Sequence, residues 1–121
     1  MALGGAIGTL ARYGVTTAME PAGRLPSGVL LVNVTGAFVL GLLLELLLRL
    51  GDDDGRRRGV RLLAGVGFLG GYTTYSALAL DTAELLRDDH VGLALGYGVG
   101  SVLAGLAAAV AGIVLARRIT R

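Results

Sequence analysis

Hydrogen-bond donors, rather than acids or nucleophiles, mark the interior of this chain. In the apolar run from Gly67 to Ser76, GFLGGYTTYS, two adjacent glycines lead into Tyr72, Thr73, Thr74, Tyr75 and Ser76. Elsewhere, among Leu, Val and Gly, stand the amide of Asn33, the phenol of Tyr97 and the hydroxyl of Ser101. All of these groups can donate. Without a fixed internal cation, such a set suits a small, hard anion that must exchange its water shell for hydrogen bonds. Aromatic ring edges carry the positive end of the quadrupole and can add to it. Catalysis has no visible machinery: there is no Ser-His-Asp set, no Cys, no metal-ligand cluster and no paired carboxylates in an apolar setting. His90, the single histidine, has no partner at a useful spacing and reads as a surface residue.

The elements that position these donors are membrane spans. A hydrophobic fraction of 54% with mean hydropathy +0.71 exceeds what a 121-residue soluble domain can bury. The chain therefore reads as one all-α integral membrane domain, residues 1–121. No cleavable leader is expected, since the N-terminus lacks a basic region before its apolar run. The pI near 9.5 does not point to nucleic acid, because the arginines sit at span ends rather than along a polar face.

Four spans follow in order. The first, about 2–19, carries Gly4 and Gly8 as a small-xxx-small pair for close helix approach, and is interrupted by Arg12 and Tyr13. Arg12 lies roughly 15 Å of helix from the start. It either snorkels to the interface or faces a polar vestibule or partner. A turn containing Pro21, Gly23, Arg24 and Pro26 leads to the second span, 27–49, where Asn33 is either interhelical glue or a ligand. The loop Leu50 to Gly59 has three aspartates and then three arginines, and it reads as a solvated loop because metal-loop spacing and a closing Glu are absent.

The third span, 61–86, contains the Gly67–Ser76 interruption. Glycines weaken a helix there, and non-helical backbone at membrane depth is tolerated only where protein or a cavity covers it. Gly65, Gly67 and Gly70 satisfy G-x-G-x-x-G, but no strand precedes them and no βαβ unit fits, so a dinucleotide site is discarded. In the fourth span, 91–116, Gly92, Gly96, Gly100, Ala104, Ala108 and Gly112 recur every four residues as a close-packing face. Tyr97, Ser101 and Gly105 form a second row beside it. Four helices enclose little space alone, so a dimer is expected.

Charge sets the orientation. With four spans, one side holds Arg49, Arg56, Arg57, Arg58, Arg61, Arg117, Arg118 and Arg121, and the other only Arg24 and Arg87. Eight against two predicts both termini in the cytoplasm of a plasma-membrane protein.

GGAIGTLARY at the start, LPSGVLLVN opening the second span, GFLGGYTTYSAL in the third and the tyrosine-then-serine row of the fourth occur in a known order. On these motifs the chain resembles the Fluc/CrcB family of prokaryotic fluoride ion channels over nearly its whole length. The resemblance implies an antiparallel, dual-topology dimer with a broken third helix, two fluoride paths along the subunit interface and a central structural sodium ion. It implies that Asn33 is the pore asparagine, that Gly70 and Thr73 offer carbonyls to the sodium, and that Tyr75 and Leu78 occupy the two pore phenylalanine positions. Tyr97 and Ser101 match the fourth-helix polar track, and Arg12 the first-helix arginine; Ser76 completes the expected fluoride-path set.

Departures fall on the path. Val29 stands for the family's threonine, Tyr75 and Leu78 for phenylalanines, Asp81 for a longer acid and Gly105 for a serine. An antiparallel homodimer needs a sequence that inserts both ways, whereas this one is strongly biased. The expectation is therefore one half of a heteromeric pair, with a self-sufficient channel as the milder alternative. A non-conducting structural or assembly subunit is a further reading. A small proton-coupled multidrug exporter is another, although residues 2–19 lack the carboxylate it needs.

Overall fold

In a computed structural model, residues 1–19 and 25–121 are described; the expected turn at Pro21, Gly23 and Arg24 lies outside them. Everything regular among the described residues is helical. Helix α1 covers Ala2–Ala18 without interruption at Arg12 and Tyr13, and α2 covers Ser27–Arg49. A continuous helical segment follows, made of α3 (Gly55–Val60), a π-helical stretch (Arg61–Leu69) and α4 (Gly70–Tyr72). After two extended residues come α5 (Tyr75–Arg87) and α6 (Val91–Ile119). The third segment thus starts earlier than residue 61, because the glycine at position 55, at φ +43°, turns the loop into it.

Helices α2 and α6 are long and apolar enough to cross a membrane, with mean hydropathy 2.2 and 2.3, and only 17% of each apolar window is buried. Leu31, Val39, Leu44, Val99, Leu103, Leu106 and Val110 are exposed along them. A soluble protein hides such helices; these present their side chains outward, as lipid-facing helices do. The protein is a membrane protein.

Glycine determines how closely the backbones approach. α1 runs beside the π-helical stretch in the same direction, with Gly4 against Leu63 and Gly67, and Gly8 against Phe68 and Tyr72. A Cβ at Gly8 would collide with the Phe68 carbonyl, one at Gly71 with the Gly5 carbonyl and one at Gly41 with the Ala109 carbonyl. α2 crosses the third segment in the opposite sense, Leu40 and Leu43 near Gly65 and Gly36 against Tyr72 and Thr73. α2 and α6 run alongside one another, Gly41 by Ala109 and Gly112 by Phe38 and Leu42. A small core closes the other end, where Leu78, Leu85, Ala94 and Tyr97 pack with Val29, Leu30 and Leu93.

The small-residue stripe of α6 is used only in part. Gly112 packs inside the chain, whereas Gly92, Gly96 and Gly100 have open space where a Cβ would go. Gly8→Ala should therefore destabilise the protomer by about 3 kcal/mol, the upper range for overpacking, since backbone and not a movable side chain is in the way. Gly100→Ala should leave protomer stability unchanged. The fraction of each variant remaining monodisperse after heating in detergent reads the difference.

Candidate functional site

The break in the third segment lies at Thr73 (φ −78°, ψ 154°) and Thr74 (φ −149°, ψ 120°). It falls inside the Gly67–Ser76 run expected to interrupt the span, but at its threonines and not at its glycines. Gly70 and Gly71 stay helical, and the glycines of the GFLGGYTTYS run serve the approach of α1 instead, Gly67 meeting Gly4 and Gly71 meeting Gly5.

What makes the break is a tertiary clamp. The Asn33 Nδ2 donates to the Thr74 carbonyl at 2.9 Å, and the Thr74 N–H donates to Asn33 Oδ1 at 2.7 Å. One amide side chain thus pairs with both polar groups of one backbone unit, as a neighbouring strand would, and satisfies groups that membrane interior would leave orphaned. Of the two roles open to Asn33, the interhelical one is observed directly. Its second amide hydrogen remains for another acceptor. Nearby, the Thr35 and Tyr72 hydroxyls lie 3.2 Å apart, and the Phe68 and Tyr72 rings stack at 6.0 Å.

The clamp changes what the two helix ends present. In an uninterrupted helix the Thr74 N–H would return to the Gly70 carbonyl, and the Ala77 N–H to that of Thr73. Instead, Thr74 N–H goes to Asn33, and Ala77 N–H donates to the Thr74 Oγ1 at 3.2 Å as an N-cap. The carbonyls of Gly70 and Thr73 are thereby released from their helical donors, at the negative end of a helix. Thr73 is otherwise anchored backward, its N–H and hydroxyl both reaching the Leu69 carbonyl at 2.9 Å. Gly70 and Thr73 border a groove shared with Leu40, Leu44, Arg61, Gly65, Val66 and Leu69. Hard carbonyl oxygens suit an alkali cation, so these two residues fit the group expected of them. No cluster of three acidic, His or Cys ligands exists among the described residues.

On the other side of the break, the positive end of α5 opens into a second groove, lined by Arg12, Thr16, Val29, Thr74, Ser76, Ala77 and Leu80. Arg12 has no ion-pair partner among the described residues, and no carboxylate lines the groove. The Ser76 hydroxyl is 3.1 Å from that of Thr74. A guanidinium, hydroxyls and a helix N-terminus converge there, which is an anion-attracting set. Arg12 thus lines a groove that has polar groups on its wall.

The remaining expected path residues are not brought into that groove. Tyr75 is 80% exposed and lies on a groove between α5 and α6 with Thr82, Gly98, Val99 and Leu103. Leu78 belongs to the small core and also lines the Tyr75 groove, so these two expected residues share one surface. Tyr97 is buried, its hydroxyl donating to Asp81 Oδ2 at 3.3 Å. Ser101 is also buried, and its Oγ has no hydrogen-bond partner among the described residues. Arg12 and Ser76 therefore face one groove, Tyr75 another, and Tyr97 and Ser101 point inward; Asn33 joins them through the break. Sequence reasoning counted Thr74 among the donors but missed it as the helix cap and clamp residue. Its signal was available, since a Thr directly before an apolar helical run is a common N-cap. Thr16, visible only as a hydroxyl near a span end, had no comparable signal.

Comparison with known proteins shows the family. The family described as "CrcB-like protein, Camphor Resistance (CrcB)" matches residues 1–113. A Leifsonia xyli subsp. xyli protein named "Fluoride-specific ion channel FluC 2" is 48% identical over 113 residues, 93% of this chain and 78% of that protein. "Fluoride-specific ion channel FluC" of Paracoccus denitrificans is 46% identical over 121 residues, 97% of this chain and 91% of its own. The Gloeobacter violaceus protein of the same name is 44% identical over 118 residues, 95% of this chain and 91% of its own. By name these relatives are ion channels and not enzymes. Similarity of this extent, running from the first residue through most of α6, places the chain in the CrcB family.

Proposed function

We propose that this chain is a subunit of a passive, fluoride-selective channel that lets fluoride leave the cell across the plasma membrane. One observation carries the reading: the Asn33 clamp opens a helix at membrane depth and gives its two ends opposite electrostatic character. An anion path needs donors without a deep trap. Arg12, Thr16, Thr74 and Ser76 offer a mouth of that kind, and relatives over nearly the whole chain are named for fluoride. The path continues through Asn33, Tyr75, Leu78, Tyr97 and Ser101.

In this reading the chain crosses the membrane four times, with α1, α2, the broken third segment and α6, and works with a second chain of the same family in antiparallel orientation. Support comes from what one protomer lacks. Its expected path residues face separate grooves, and Gly92, Gly96 and Gly100 leave an open small-residue face. A sodium ion held by the Gly70 and Thr73 carbonyls would supply positive charge at the centre of such a pair, and it is treated as structural. The arginine asymmetry favours a heteromeric partner of opposite bias. Relatives named FluC 1 and FluC 2 agree with numbered, distinct chains.

Fluoride efflux from liposomes tests the proposal. The reconstituted pair should release fluoride down its gradient while retaining chloride. Release that depends on a proton gradient and an organic cation would indicate an exporter. Absence of fluoride release, both alone and with a partner chain, would make the subunit structural.

A further inference from the structure

At the end of α2, a recess is walled by Leu44, Leu47 and Leu48 and closed by Gly51, Asp53, Arg57 and Arg61. Its floor is apolar and its rim is cationic. Both arginines are held in place by the chain rather than left to sample solvent. Arg61 is paired with Asp53 through Nε at 3.0 Å and Nη2 at 2.6 Å. Arg57 donates from Nη1 to the Asp52 carbonyl at 3.1 Å, and its guanidinium lies over Gly51 where a Cβ would sit 2.6 Å from Nη1. Gly51 has φ +122°, so glycine is needed there both for the turn and for the room it leaves. The arginine beside it keeps the Asp53 carboxyl below its usual range, so this acid stays charged at neutral pH.

Charge in the recess follows from these groups. Asp53 contributes one negative charge and Arg57 and Arg61 two positive ones, leaving one positive charge with unused donors on Arg57 and on the Arg61 Nη1. A phosphodiester headgroup with one net negative charge, and no cation of its own to cancel it, supplies the complement. The leucines decide between sources of that phosphate: free phosphate has no use for an apolar wall, whereas a lipid has an acyl chain to lay on it. The depth agrees, because the recess lies where the apolar run of α2 ends at Arg49 and hydrocarbon gives way to headgroups.

We propose that this recess is a binding site for one acidic phospholipid, its phosphate on Arg57 and Arg61 and the start of an acyl chain against Leu44, Leu47 and Leu48. The site rests on the membrane placement of the chain but not on what it conducts. The probe is spin-labelled phosphatidylglycerol, with spin-labelled phosphatidylcholine for comparison, in phosphatidylcholine vesicles containing the full chain. The motionally restricted fraction of each label is read, and vesicle flotation confirms insertion in the same samples. Phosphatidylglycerol should be restricted in preference to phosphatidylcholine. Arg57→Gln should lower that preference about fivefold, the effect of one basic residue at an anionic surface, and Leu48→Asn should lower it as well. Arg121→Gln, which is not part of the recess lining, should not.

Three results would overturn the proposal while leaving membrane insertion intact. Absence of preference in inserted wild-type chain would mean that a second subunit or nothing covers the recess. Equal losses in Arg57→Gln and Arg121→Gln would reduce the effect to diffuse surface charge. Displacement of the labelled lipid by excess inorganic phosphate would make the ligand a free anion. Arg57→Lys, which keeps the charge, should recover part of the preference and so separates loss of binding from loss of folding.

Discussion

Asn33→Asp is expected to abolish fluoride efflux from liposomes, by at least about 100-fold. The substitution keeps the size of the side chain and changes one donor into an acceptor. In the native clamp the Asn33 Nδ2 faces the Thr74 carbonyl at 2.9 Å; an aspartate would set a carboxylate oxygen against that carbonyl. Losing the bond and leaving buried acceptors unpaired costs about 3 kcal/mol, which as a barrier is roughly a hundredfold in rate. The added negative charge also repels any anion that approaches the break. Asn33→Ala separates the two effects, because it removes both clamp bonds without adding charge. If the clamp alone matters, both variants lose flux, and Asn33→Ala, which alone removes the acceptor of the Thr74 N–H, loses hydrogen-exchange protection at Thr74. If charge dominates, Asn33→Ala retains measurable flux. Full flux in a folded Asn33→Asp variant would remove Asn33 from the mechanism.

Membrane character, all-α class and the existence of a break were legible in the sequence because each rests on local composition. Which residues of the Gly67–Ser76 run form it was not. Glycine has the lowest intrinsic helix preference of the residue types in the run, yet Gly70 and Gly71 remain helical, and Thr73 and Thr74 leave the helix instead. That outcome depends on Asn33, 41 residues away from Thr74, and no local pattern encodes a contact at such separation. The same reason explains the glycines. A small-xxx-small pair announced close packing, but only the partner backbones, Phe68 for Gly8 and Ala109 for Gly41, say against what.

Site residues divide along a similar line. Residue type made Asn33, Tyr97, Ser101 and Arg12 conspicuous in apolar surroundings. Which way each points depends on helix rotation, set by packing across α2, α5 and α6. Tyr97 turns inward to Asp81, while Tyr75, three residues before the core residue Leu78, is left on the surface. In physical terms the sequence identifies polar groups that need a reason to be in a membrane, and the fold decides which of them share a groove.

Orientation carries the second large effect. Expressed alone, the chain should insert almost entirely one way, with the 50–59 loop inside the cell. The native chain has no Cys, so single reporters can be placed freely: Asp52→Cys on the arginine-rich side and Asp88→Cys on the other. A membrane-impermeant maleimide applied to intact cells should label Asp88→Cys and spare Asp52→Cys. The arginines that enforce this are gathered at one end, where Glu45 pairs with Arg49 one turn along α2 and joins α2 to α6 through Arg117, both at 2.9 Å, and Asp53 holds Arg61. Replacing Arg56, Arg58 and Arg118 by Gln lowers the count on that side from eight to five, keeps the Glu45 and Asp53 pairs, and should let a measurable fraction insert in reverse. An antiparallel pair cannot form from chains that all point the same way. The biased chain alone should therefore give little fluoride flux, and flux should appear with a family member of opposite bias or with the charge-reduced variant. Equal labelling of both reporters in the native chain would show that it inserts both ways, and its antiparallel partner would then be a second copy of itself.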